Sequence, residues 1–149
     1  MKKFNFPLNT VLNYKDQVLD NLKNEHAQIV DKVARQEKKV ESLSDRRREA
    51  CVQFQEEIGQ GIAVSMMREY ETYITFMHQK ILAEQGVLHK LQKKEEQKRE
   101  EVVEARKEVV SIEKLKEKKL LQYNKELQRS EELFIEEFVS NTTSVHGSR

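Results

Sequence analysis

Gly59-Gln60-Gly61 interrupts a chain whose apolar residues otherwise recur with a helical period along most of its length. A glycine inside a helix costs about 1 kcal/mol relative to alanine, so two of them one residue apart mark a turn. A turn within heptad-patterned sequence leaves two arms that can fold back on each other. The expected fold is all-α: two long helices forming an antiparallel coiled-coil hairpin, the second helix longer and overhanging. The boundaries read as helix one over about 9–58, a turn over 59–64 and helix two over about 65–138. Together these make a hairpin over 1–139, followed by a disordered tail over 140–149, where small polar residues from Ser140 onward offer nothing to bury.

The heptads set the register. With Leu12 at position a, the first arm places Leu12, Leu19, His26, Val33, Val40, Arg47 and Phe54 in one row. Its d row is Lys15, Leu22, Ile29, Gln36, Leu43, Ala50 and Glu57. In the second arm the a row is Met67, Ile74, Ile81, Leu88, Glu95, Val102 and Val109, and the d row is Tyr70, Met77, Glu84, Leu91, Lys98, Ala105 and Ile112. Apolar residues dominate both seams, which is the coiled-coil signature. Folding about the turn pairs Phe54 with Tyr70, Leu43 with Ile81, Val33 with Leu91 and Leu12 with Ile112. His26 then lies opposite Lys98, with Glu95 nearby; polar seam residues of this kind fix register at some cost in stability.

Beyond Ile112 the apolar residues change phase. They fall at Leu120, Tyr123, Leu127, Phe134 and Phe138, and the step from Val109 to Leu120 has the spacing of a stutter. The first arm runs out of partner residues at the same place. Residues from Glu113 to Phe138 should therefore project past the first helix and need another partner for their stripe. At the other end, Asn9 or Thr10 can cap helix one, with Pro7 just ahead of it.

Charge narrows the function. Lys and Arg number 27 against 26 Asp and Glu, and the signs are interleaved, as in Glu95-Glu96-Gln97-Lys98-Arg99-Glu100-Glu101. No uniformly basic stripe is left to replace the counterions of a phosphate backbone, so nucleic acid is not an expected partner. Cys51 is the only cysteine, which rules out an internal disulfide and suits a reducing compartment. The residues up to Pro7 lack the apolar core of a signal peptide, and no stretch is apolar enough to span a membrane.

Chemistry is not expected. His26, His78, His89 and His146 stand neither three nor four residues from one another or from Cys51, so no metal site is expected. Cys51 has Arg46, Arg47 and Arg48 nearby, but a nucleophile also needs a positioned base and an oxyanion site. Gly59-Gln60-Gly61 lacks the Lys and Ser or Thr of a phosphate loop. The chain reads as neither an enzyme nor a cofactor-binding protein, and its function rests on recognition surface. Near the turn, Tyr73, Phe76, Ala83 and Val87 recur at helical spacing outside the seam, beside Lys80. Such a stripe suits a partner groove or a third-helix contact, although Tyr73 equally suits a broadened seam.

Three stretches carry a resemblance. The opening Phe4-x-Phe6-x-Leu8-x-x-Val11-Leu12, the turn Gly59-x-Gly61-Ile62-Ala63 and the run Tyr70-x-x-Tyr73-Ile74-x-x-Met77 resemble the FliJ family of the flagellar type III export apparatus. The resemblance implies a soluble coiled coil similar to the rotor stalk of rotary ATP synthases, serving flagellar biogenesis and motility. Its implied partners are the hexameric flagellar export ATPase, whose assembly and activity it promotes, the membrane export gate protein and export chaperones. It further implies a cytoplasmic protein held peripherally at the inner face of the cell membrane through the export apparatus. The implied gate-binding positions are Leu43, Tyr73 and Met77, with Arg46, Ala50 and Lys80 in neighbouring positions, and Phe76 of the exposed stripe adjoins them. Analogy with the rotor stalk implies ring contacts at Leu120, Tyr123, Leu127, Phe134 and Phe138. Alternatives in other classes are a generic scaffolding coiled coil and a prefoldin-like client chaperone. The glycine pair favours a monomeric hairpin over arms paired between chains.

Overall fold

The computed structural model describes residues 2–147. Helix α1 spans Asn9–Gln60 and helix α2 spans Val64–Gly147, with no strand among the described residues. The two helices pack against each other, and α2 is the longer. They contribute to two compact units: Asp20–Val103 forms one, and the residues up to Leu19 with those from Glu104 onward form the other.

In the unit around the turn, every seam residue named above is wholly or partly shielded, polar ones included. On α2 from Val64 to Val103 the shielded residues are the a and d rows alone, among the described residues. Leu43, Met77 and Ile81 form the buried cluster. Full burial of such a side chain is worth about 1.5–3 kcal/mol, so this cluster is the main apolar anchor of the unit. Phe54 and Tyr70 meet as the register requires, their ring centroids 5.1 Å apart at 32°.

The polar layer at His26 uses the nearby Glu95. His26 Nε2 donates to Glu95 Oε1 at 2.9 Å, while Lys98 reaches Glu25 at 2.8 Å and Glu101 at 3.0 Å. His26 and Lys98 thus each find a carboxylate as partner. A second layer joins Gln36 Nε2 and Lys39 Nζ to the Glu84 carboxylate.

The turn is shorter than the sequence suggests. Gly59 and Gln60 stay helical, and only Gly61 takes a positive φ, 87°, which an L side chain adopts at a cost. Its amide donates to the Ile58 carbonyl at 3.1 Å and closes α1. The Ala63 carbonyl then accepts from Met66 and Met67 and opens α2.

In the unit containing the N-terminal residues, Leu12, Leu19 and Val109 form the buried seam, and Lys15 pairs with Glu108 at 2.8 Å. The expected cap is not formed. Leu8 supplies the first helical carbonyl, to the Leu12 amide at 2.8 Å, which puts Asn9 inside the helix. Its side chain instead accepts from Lys116 Nζ at 3.2 Å. Ahead of α1, the segment 2–8 is non-helical and lies against α2 as a strap. Phe6 is buried, Phe4 packs on Tyr123 with centroids 5.6 Å apart, and Tyr123 Oη donates to the Lys2 carbonyl at 2.6 Å.

This strap changes two expectations. Lys116 and Tyr123 are partly shielded and continue the heptad of Val109, while Leu120 is 40% exposed. The new phase is therefore used only in part: Leu120 is exposed, while Tyr123 and Leu127 are partly shielded. The overhang does lie beyond the start of α1, but its first turns are covered by the strap, and full exposure begins only after Leu127. Toward its C-terminus α2 continues helically through Ser140 to Gly147, where a disordered tail was expected. There Thr142 and Thr143 donate back to the carbonyls of Phe138 and Val139, so their hydroxyls are satisfied within the helix. Residues 148 and 149 of that tail lie outside the described residues.

Candidate functional site

Near the turn, heptad packing divides the resemblance-derived positions by depth. Leu43, Ala50 and Met77 lie in the seam, Leu43 at 5% and Met77 at 4% exposure. Arg46, Tyr73, Phe76 and Lys80 are exposed. The first three therefore act as the footing on which the exposed ones stand, because an a or d side chain points into the partner helix.

Two adjoining hollows share Tyr73. One is lined by Arg46, Glu49, Ala50, Gln53, Met66, Glu69, Tyr70 and Tyr73, from both helices. The other, more apolar, lies on α2 alone between Arg68, Glu69, Thr72, Tyr73 and Phe76. Lys80 lines neither hollow. Met66 and Glu69 were missed by the sequence reading, yet each stands seven residues before an aromatic of the stripe, Tyr73 and Phe76 respectively. The stripe of Tyr73, Phe76, Ala83 and Val87 is exposed throughout, so Tyr73 does not broaden the seam.

Beneath this surface the seam residues Arg47, Glu57 and Tyr70 are partly shielded. Burial, and then the Glu57 carboxylate, push the Tyr70 phenol above its ordinary pKa. Such a phenol stays protonated and keeps its donor. The groove can hold an apolar side chain with a polar edge. Its open, two-walled form gives no enclosed position for a reacting group.

In the other unit, the implied ring-contact residues fall into two environments. Tyr123 and Leu127 are half-buried, and Phe4, Asn5 and Pro7 share a cleft with Lys119, Gln122, Tyr123 and Glu126. Leu120, Phe134 and Phe138 are exposed, the last two at 71% and 65%. The structure thus groups Tyr123 with the strap and leaves Phe134 and Phe138 on a bare helix face. Leu133, Ile135 and Val139 are exposed beside them. The strap was the feature sequence reading missed, and Phe4-x-Phe6 ahead of Pro7 was its signal.

Among the described residues, no group of three or more His, Cys, Asp or Glu side chains could hold a metal ion. Cys51 is a free, partly shielded thiol. No helix among the described residues is long and apolar enough to cross a membrane.

The family model described as the flagellar FliJ protein matches residues 4–148, nearly the whole chain. No curated protein and no solved structure matches.

Proposed function

Because this chain belongs to the FliJ family of flagellar export-apparatus components, we propose that it is the stalk of the export ATPase. It binds the hexameric ring, promotes ring assembly and activity, and links the ring to the membrane export gate and to export chaperones. It does so from the cytoplasm, reaching the inner face of the membrane only through its partners.

The observation that supports this reading best is a pair of unpartnered apolar surfaces, one in each compact unit. Tyr73 and Phe76 stand on α2 near the turn, and Phe134 and Phe138 stand near its C-terminus. A linker needs two such surfaces, whereas a client chaperone needs one. Phe134 and Phe138 face the ring. A helix that inserts between subunits adds interface that only the assembled state offers, so ring assembly follows by mass action. Tyr73 and Phe76, held by Leu43, Ala50 and Met77 beneath, face the gate, with Arg46 and Lys80 at the margin.

The test is ATP hydrolysis by the purified cognate flagellar export ATPase, titrated with the full chain and with a version ending at Ile112 whose helicity has been checked. Stimulation by the full chain and its loss on truncation is the expected result. Equal stimulation by both would place the ring contact elsewhere. Separately, Tyr73→Ala with Phe76→Ala should weaken gate binding and leave ATPase stimulation intact.

A further inference from the structure

The exposed C-terminal part of α2 carries a charge pattern that specifies what covers it. From Glu113 to Arg129 basic residues outnumber acidic ones, with Lys114, Lys116, Lys118, Lys119, Lys125 and Arg129 against three glutamates. The sign then reverses. Glu131, Glu132, Glu136 and Glu137 follow, and no Lys or Arg occurs again before Gly147.

Helical geometry sorts these four carboxylates. At about 100° per residue, Phe134, Phe138, Ile135 and Val139 share one face. Glu132 borders that face beside Val139, while Glu136 and Glu137 lie about 60° outside it, one on each side, and Leu133 points to the back. Glu131 falls inside the face, one turn from both Phe134 and Ile135 and two turns from Phe138. Among the described residues, Glu131, Glu136 and Glu137 have neither hydrogen bond nor ion pair, and Glu132 accepts only from Gln128, at 3.2 Å.

An apolar partner surface that buried Phe134 and Phe138 would also take Glu131 out of water. Burying an unpaired carboxylate is far more costly than the aromatic contacts could offset. The cover must therefore bring a cation to Glu131. We propose that the face from Glu131 to Val139 docks into an apolar cleft of a partner protein that presents an Arg or Lys to Glu131 and has a basic group at the rim facing Glu132. This deepens the ring-binding reading above and rests on it, since it gives the chemistry of the ring surface that receives the helix. Such pairing supplies specificity as well as attachment: a cleft with carboxylates at those positions is repelled.

The experiment measures binding of the full-length chain to the purified cognate export ATPase at low and at moderate salt. Four forms are compared: unaltered, Glu131→Gln, Glu136→Gln, and Phe134→Ala with Phe138→Ala. Circular dichroism confirms equal helicity. Glu131→Gln should weaken binding about thirtyfold or more, the usual result of stranding one member of a desolvated charge pair. Glu136→Gln, exposed and outside the docking face, should stay within about twofold, as an exposed charge does. The aromatic pair should lose binding at both salt concentrations. Loss with the aromatic pair but wild-type affinity for Glu131→Gln overturns the proposed cation while the ring-binding reading stands. Wild-type affinity for both overturns that reading, and the proposal with it. A dimer seen by light scattering that dissociates on Glu131→Gln would make a second copy of the chain the occupant, which also overturns it.

Discussion

His26 Nε2 lies 2.9 Å from Glu95 Oε1, inside a seam that is otherwise mostly apolar. Glu95 also accepts from Arg99 at 2.8 Å, and the two contacts, His26 first, hold its carboxyl below the ordinary value of 4.5. Glu84 is lowered in the same way, chiefly by Gln36 and Lys39. A carboxylate whose folded pKa is depressed stabilises the fold above its unfolded value, and that contribution is lost as pH falls through the folded value. The hairpin should therefore lose urea resistance as pH falls below about 5, more steeply than a Glu84→Gln, Glu95→Gln variant does. Parallel slopes for the two proteins in acid would mean that these layers carry no linkage.

The glycines separate two effects on the backbone. Gly86 is helical and exposed, with nothing within 4 Å of a built Cβ. Gly86→Ala should raise stability by about 0.4–1 kcal/mol, because it removes backbone freedom from the unfolded chain. Gly61 has equally open surroundings but a φ of +87°. Gly61→Ala should cost about 1–2 kcal/mol, the penalty of a left-handed L residue. Urea midpoints of the two variants should move in opposite directions, and movement in the same direction would refute the assigned turn.

Depth in the seam should govern sensitivity near the docking surface. Leu43 is 5% exposed within the cluster with Met77 and Ile81, whereas Phe76 is 57% exposed. Leu43→Ala should lower stability by about 2–4 kcal/mol through lost burial and a cavity. Phe76→Ala should change it by no more than about 0.5 kcal/mol, despite removing the larger side chain. Thermal unfolding distinguishes them. A comparable loss for Phe76→Ala would show that its ring packs on the fold and is not held free for a partner.

These contrasts follow the limits of the sequence pattern. Every a and d position assigned from the heptads, from Leu12 to Glu57 and from Met67 to Ile112, is shielded, polar ones included. In a helix pair the period alone decides which residues face inward, so this part was legible in full. The pattern failed where α2 meets something other than a helix. Of the new phase, Leu120 is exposed while Tyr123 and Leu127 are partly shielded, and the partner at Tyr123 is the strap of residues 2–8. The cap at Asn9 failed for a related reason, since Lys116, distant in sequence, takes its side-chain oxygen. For the docking residues, spacing identified the exposed aromatics Tyr73 and Phe76, but not the charged and polar neighbours that share their hollows.

The strap itself yields the last prediction. Phe6 is 5% exposed, Phe4 packs on Tyr123, and Tyr123 Oη binds the Lys2 carbonyl, all ahead of the first helical turn. A helix without a packing partner frays in water, so the order of α2 just past Ile112 depends on these contacts. Phe4→Ala with Phe6→Ala should therefore speed amide hydrogen exchange in the stretch from Glu113 to Leu127, and leave exchange around Leu43 and Ile81 unchanged. Tyr123→Phe keeps the ring contact and loses only the hydrogen bond, worth about 1 kcal/mol, so it should give a smaller change in the same stretch. The gradation matters because a general loss of stability would raise exchange in both units together. Rapid exchange from Glu113 to Leu127 in the unaltered protein would show that the strap does not hold this part of the helix.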